Sequence, residues 1–193
     1  MLGKLTNGWW MGTLVALQSG SPFTPTIGGN RSTYGAAVGA SSTSVDRPDL
    51  VVATTPGTGT ATGLTFVPFD PTKVITRNPK QWFNPMMFMS PRQGYFGTAP
   101  RNFLDGPGLQ NVDFSMNKDT RFAALGEQGA LQFRAEVFNL FNHPNFAQPN
   151  TQVFVGSGAA VGGPVEAPLA SAGQVLRTRT RSRQIQLALK IVF

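Results

Sequence analysis

The last ten residues, Gln184-Ile185-Gln186-Leu187-Ala188-Leu189-Lys190-Ile191-Val192-Phe193, constrain the fold of this chain more than any other segment. Ile185, Leu187, Leu189, Ile191 and Phe193 occupy every second position, which places them on one face of a strand. Gln184, Gln186, Ala188 and Lys190 fall on the other face, with Val192 the apolar exception. Soluble sheets alternate too, but a long, uninterrupted apolar face is unusual in them. At about 3.3 Å per residue the segment spans roughly 33 Å. Tilted by about 40°, it covers an apolar band about 25 Å tall, the height of an outer-membrane barrel wall.

Three other stretches share this two-faced character. In residues 9–18, Trp9, Met11, Thr13, Val15 and Leu17 take the lipid face, while Trp10, Gly12, Leu14, Ala16 and Gln18 point inward. In residues 109–122, Val112, Phe114 and Met116 alternate with Asn111, Asp113, Ser115 and Asn117. In residues 131–141, Leu131, Phe133, Ala135 and Val137 alternate with Gln132, Arg134 and Glu136. The fourth strand is expected over residues 177–193. Apolar residues outward and polar ones inward is the pattern of a barrel with a polar lumen. The fold class is therefore all-β, an antiparallel transmembrane barrel, with residues 1–193 as a single partial barrel domain.

Composition agrees. Only 13% of the residues are charged, against 22 Gly and 15 Pro, which suits strands joined by turn-rich loops. No apolar run is long enough for a membrane-spanning helix. Lys4 followed by Trp9 to Leu17 only superficially resembles a signal peptide, with a thin positive region and Pro22 badly placed for processing. The net charge of +7 is concentrated in part at Arg177, Arg179, Arg181 and Arg183. Aromatics are not interleaved with these arginines, so nucleic acid is not an expected partner.

Connection lengths set the direction of the strands. A turn around Gly126-Glu127-Gln128-Gly129 joins the second and third strands, whereas residues 19–107 and 142–176 form long connections. Outer-membrane barrels have short periplasmic turns and long extracellular loops. The chain is therefore expected to end in the periplasm. Trp9, Trp10, Phe122 and Phe193 fall at the periplasmic rim and Phe138 and Phe141 at the outer one, as aromatic girdles require. Within the first loop, residues 19–65 are rich in Ser, Thr, Gly and Pro and read as lightly structured. Residues 66–107 hold many aromatics between prolines and read as folded. Trp82, Phe83, Tyr95 and Phe96 from this part are the candidate ligand contacts, by stacking or apolar burial. Four strands do not close a barrel, for which about eight is the smallest common number. The chain is then part of a larger barrel, or several copies pool their strands.

Several stretches resemble, in order, the C-terminal end of the barrel of TonB-dependent outer-membrane receptors, specifically the Oar-like group. They are Leu17 to Thr24, Trp82-Phe83-Asn84-Pro85, Arg101-Asn102 with Gly106-Pro107-Gly108, Asn111-Val112-Asp113, Phe133 to Phe146, and Arg183 to Lys190. The most specific is Phe133-Arg134-Ala135-Glu136-Val137-Phe138-Asn139-Leu140-Phe141-Asn142-His143-Pro144-Asn145-Phe146. The resemblance implies the last four strands of a barrel of about 22 strands. It further implies energised uptake of a bulky ligand, with the TonB complex acting through an N-terminal part, plug included, that this chain lacks. It also implies that Ile185, Leu187, Leu189, Ile191 and Phe193 form the signal read by the barrel assembly machinery. That reading would proceed by strand addition, with alternate side chains filling pockets.

Other motifs carry less chemistry. Arg177, Arg179, Arg181 and Arg183 share parity with Ile185 and would point outward above the apolar band if alternation persists. There their guanidinium forks suit the phosphates of lipopolysaccharide. Asp113, Arg134 and Glu136 face the lumen and are expected to pair across strands. Nothing beside these carboxylates supports hydrolysis, so the chain is expected to be non-enzymatic and without cofactor. His143, the one histidine, sits in the turn-forming Asn142-His143-Pro144-Asn145. Gly156 to Gly162 hints at a dinucleotide loop, but Pro164 and Pro168 forbid the helix that should follow. Met86, Met87 and Met89 are expected to pack against Trp82 and Phe83 rather than bind a soft metal. Two other functions remain open: an oligomeric outer-membrane anchor of a surface adhesin, and a secreted carbohydrate-binding β-sandwich.

Overall fold

The computed structural model describes residues 6–34, 45–122, 129–156 and 166–193. Four long strands dominate: β1 (Trp9–Gln18), β2 (Leu109–Arg121), β3 (Ala130–Phe138) and β4 (Gln184–Val192). They form one antiparallel sheet in the order β1-β2-β3-β4. Each strand pairs with its successor in the chain, so the sheet is a simple meander whatever the length of the connections.

Two strand ends fall short of the sequence pattern. The third strand stops at Phe138 rather than residue 141, because Asn139 and Asn142 both adopt a left-handed backbone, each with φ of 52°. Such a backbone cannot continue a strand, and asparagine tolerates it better than most residues. The fourth strand begins at Gln184, not at 177, and residues 177–183 are bends and irregular chain apart from an isolated bridge at Thr178. Of the expected turn at 126–129 only Gly129 lies within the described residues; its carbonyl accepts from the Phe122 N–H at 2.9 Å.

Where the sequence suggests one partial barrel domain, the chain divides into two compact units. Met1–Ser19, Gly108–Asn145 and Thr178–Phe193 form the sheet unit; Gly20–Pro107 and Phe146–Arg177 form a second unit inserted in its sequence. The second unit has a core of its own. Phe66, Phe83, Phe88, Phe154 and Ile27 are fully buried there, with Trp82, Met87, Val51 and Leu104 nearly so. Phe83 meets Phe88 edge-on at 5.8 Å between ring centres and Phe23 at 5.7 Å, geometries favoured by the ring quadrupole. The elements are strands of two to four residues and two short 3-10 turns, such as Phe88–Met89 paired with Asp49–Leu50. Residues 19–65 are thus not lightly structured throughout: Phe23, Ile27, Val51 and Ala61 belong to this core. Their apolar side chains are too sparse for a periodic signal, and only long-range packing brings them together.

Glycine permits close backbone approaches in this unit, Gly20 among them. A Cβ on Gly20 would lie 1.8 Å from the Gly106 carbonyl oxygen, and the Gly106 N–H donates to Ser21 O at 3.0 Å. The two ends of the first insert therefore run backbone against backbone, a contact no side chain at Gly20 allows.

Candidate functional site

Register joins the strands into two surfaces of opposite character. Met11, Met116, Ala135 and Leu187 form one row across all four strands. Thr13, Phe114, Val137 and Ile185 form the row on one side of it, and Trp9, Lys118, Phe133 and Leu189 the row on the other. On the other face, Gly12, Ser115, Glu136 and Gln186 line up, as do Trp10, Asn117, Arg134 and Ala188. The expected parity of every strand holds on these rows, because side-chain alternation survives any change of twist.

The apolar face is uncovered among the described residues. Leu187 is 69% exposed and Phe193 93%, and Ile185, Leu189 and Ile191 are comparable. Fully burying one such side chain is worth about 1.5–3 kcal/mol, so a face of this size in water forfeits a large share of a domain's stability. An apolar medium removes the penalty. The rims are partly as expected. Trp9, Trp10, Phe122 and Phe193 share one end of the sheet, and Phe138 and Phe141 the other. Trp10 and Phe138, however, have the parity of the polar face, so they do not belong to an outward girdle. The Lys118 ammonium sits 4.8 Å from the centre of the Trp9 ring, a cation–π contact at the edge of the apolar face.

The polar face differs from expectation in its ion pairing. Arg134 pairs with Glu136, two residues along the same strand, instead of across strands. Asp113 is engaged elsewhere: its Oδ1 accepts from the Asn139 N–H and from Asn111 Nδ2, both at 2.8 Å. Asn117, 5% exposed, has an amide nitrogen without a partner among the described residues. It borders a groove of about 390 Å³ shared with Trp10, Gln132, Arg134 and Lys190.

Asn139 to Asn145, expected as the end of the third strand followed by a turn at Asn142 to Asn145, form a brace instead. Asn145, 1% exposed, accepts the Gln110 N–H at 2.7 Å through Oδ1. Its Nδ2 donates to Gln110 O and to the Thr180 hydroxyl, each at 3.0 Å. Asn139 accepts from the His143 N–H at 2.9 Å and donates to Arg181 O at 3.1 Å. Asn142 accepts from the Arg183 N–H at 3.0 Å. Three asparagines at a spacing of three thus tie the end of β3 to the start of β2 and to the approach to β4. That regular spacing was the available signal. His143 is exposed in this turn, and its backbone does the bonding.

Arg177, Arg179, Arg181 and Arg183 are all exposed. Because β4 starts after them, parity with Ile185 does not determine where they point. The candidate ligand contacts divide. Trp82 and Phe83 are core residues, with the Trp82 indole N–H donating to Asp105 O at 2.9 Å, so neither presents a ring to a ligand. Tyr95 and Phe96 are exposed, and Phe96 packs against Tyr34 at 5.4 Å. Met87 is buried and Met86 and Met89 pack against the same core. The glycine-rich stretch 156–162 lies, beyond Gly156, outside the described residues.

A protein-family model described as "Outer membrane beta barrel domain" matches residues 1–186. No curated protein and no solved structure matches the chain.

Proposed function

We propose, from the premise that this chain belongs to the outer membrane beta barrel domain family, that it is the C-terminal barrel wall of a TonB-dependent receptor of the Oar-like group. Its place is the bacterial outer membrane. The observation that carries the reading is the pair of sheet edges: among the described residues, β1 and β4 each have a neighbour on one side only. Open edges in lipid leave backbone groups unpaired at a cost of several kcal/mol each, so further strands must complete the wall. A barrel of about 22 strands would supply them. Proton-motive force relayed by TonB then drives uptake of a bulky ligand, with Tyr95 and Phe96 as ligand contacts. This segment is itself non-enzymatic. Ile185, Leu187, Leu189, Ile191 and Phe193 act as the assembly signal, their strand adding to the assembly machinery through the free edge of β4.

The coding DNA upstream of Met1 tests this. In-frame two-faced strands and a plug domain are expected there. A signal peptide directly before Met1 would overturn the fragment reading. It would favour the second one, an anchor in which several copies pool their strands, which the same free edges also permit. Crosslinking in the membrane separates the two: the anchor yields a discrete homo-oligomer, the receptor a single long chain.

A further inference from the structure

The seven residues before β4 carry four arginines, and the braced part among them has features the uptake reading does not use. Arg179, Arg181 and Arg183 are exposed, and none belongs to an ion pair among the described residues. Three like charges within five residues repel one another. Yet their backbone is held in place. The Arg179 N–H donates to Asn145 O at 2.7 Å, Arg181 O accepts from Asn139, and the Arg183 N–H donates to Asn142. The asparagines at the two ends of this brace, Asn139 and Asn145, are themselves buried. The cluster is therefore fixed at its base and free at its guanidinium heads.

Its neighbour along the chain is the exposed apolar face. Ile185 follows Arg183 by two residues, about 7 Å of extended chain, well within the reach of an arginine side chain. A ligand that satisfies both features has an apolar tail and a head carrying multiple acceptor oxygens. Guanidinium forks match phosphate oxygens in pairs, and their long stems lie over apolar surface while the charge reaches the polar layer. We propose that Arg179, Arg181 and Arg183 form a docking site for the phosphorylated headgroup of an outer-leaflet lipid, whose acyl chains lie against Ile185 and Leu187. The site tethers the strand end at the membrane surface. The proposal rests on the outer-membrane location and on the expectation that the long connections lie outside the cell; it is independent of TonB and of uptake.

The test uses the full chain in detergent micelles, titrated with bisphosphorylated lipid A, with dephosphorylated lipid A and with inorganic phosphate. Binding is read by native mass spectrometry. Preference for the phosphorylated lipid by about tenfold or more is expected, given that each basic residue near a charged lipid surface contributes appreciably. The triple variant Arg179→Gln, Arg181→Gln, Arg183→Gln should lose that preference, and the triple Lys variant should keep part of it. Equal binding of the two lipids by the wild-type chain overturns the proposal, with no variant needed. So does an unchanged preference in the Gln variant. Saturation by inorganic phosphate at the same affinity would mean a free-anion site and also overturns the lipid assignment.

Discussion

The two units of this chain treat hydrophobic side chains in opposite ways. The inserted unit buries Phe66, Phe83, Phe88 and Phe154 in a core, as a water-soluble domain does. The sheet unit leaves Met11, Val15, Leu17, Ile185, Leu187 and Leu189 exposed and turns its polar residues to the other face. The same hydrophobic effect accounts for both once the solvent differs: water around the insert, hydrocarbon against the sheet. A buried aromatic in one unit and an exposed leucine in the other are thus equivalent positions.

The largest effect should come from the core of the insert. Phe83→Ala removes a ring that touches Phe23 and Phe88 and should cost about 3–5 kcal/mol. Limited proteolysis of membranes should then cut within residues 45–107 while strands β2 to β4 stay protected. Cleavage in the strands as well would break the comparison. On the sheet, Leu187→Arg should cost about 2–4 kcal/mol, the depth-dependent penalty of a charge on a lipid-facing strand. Gln186→Arg, one residue away on the polar face, should cost far less. Urea titration of both variants in lipid vesicles measures the difference, and equal destabilisation would show that lipid does not cover this face.

Asn145→Ala probes the brace. It leaves the Gln110 N–H without its acceptor and should cost about 1–3 kcal/mol. Faster hydrogen exchange at the Gln110 amide is the expected signature, with the insert core unaffected. The smallest effect concerns pH. The Thr72 hydroxyl, donating at 2.6 Å, then the Thr72 N–H and Lys73 hold the Asp70 carboxyl below its usual range. With the folded value below the unfolded one, this contribution is present above the ordinary carboxylate range and fades as pH falls through the folded value. Thr72→Ala should move the Asp70 titration upward, as followed by NMR; an unmoved midpoint would leave the hydroxyl without a role.

How much could be read beforehand follows from the range of the forces involved. The strand over 9–18 was legible to the residue, because each turn of the alternation is set by adjacent residues. The strand start at 177 was not. Arg-Thr-Arg-Thr-Arg-Ser-Arg alternates as a strand does, but polar alternation has no apolar face to bury, and the brace from Asn139, Asn142 and Asn145 bends it instead. Trp82 and Phe83 looked like ligand contacts for a related reason: composition marks an aromatic-rich segment without saying which rings turn inward.

What the sequence alone determined is the two-faced sheet: which residues share the apolar face and which share the polar one. Periodicity of two is a local property of the extended backbone, and it needs no partner to be expressed. The tertiary structure decided the rest. It placed Tyr95 and Phe96 outside and Trp82 and Phe83 inside, paired Arg134 with Glu136 along one strand, and braced the arginines before β4. Those outcomes depend on contacts between residues tens of positions apart, where packing and hydrogen-bond satisfaction, not local pattern, choose the neighbour.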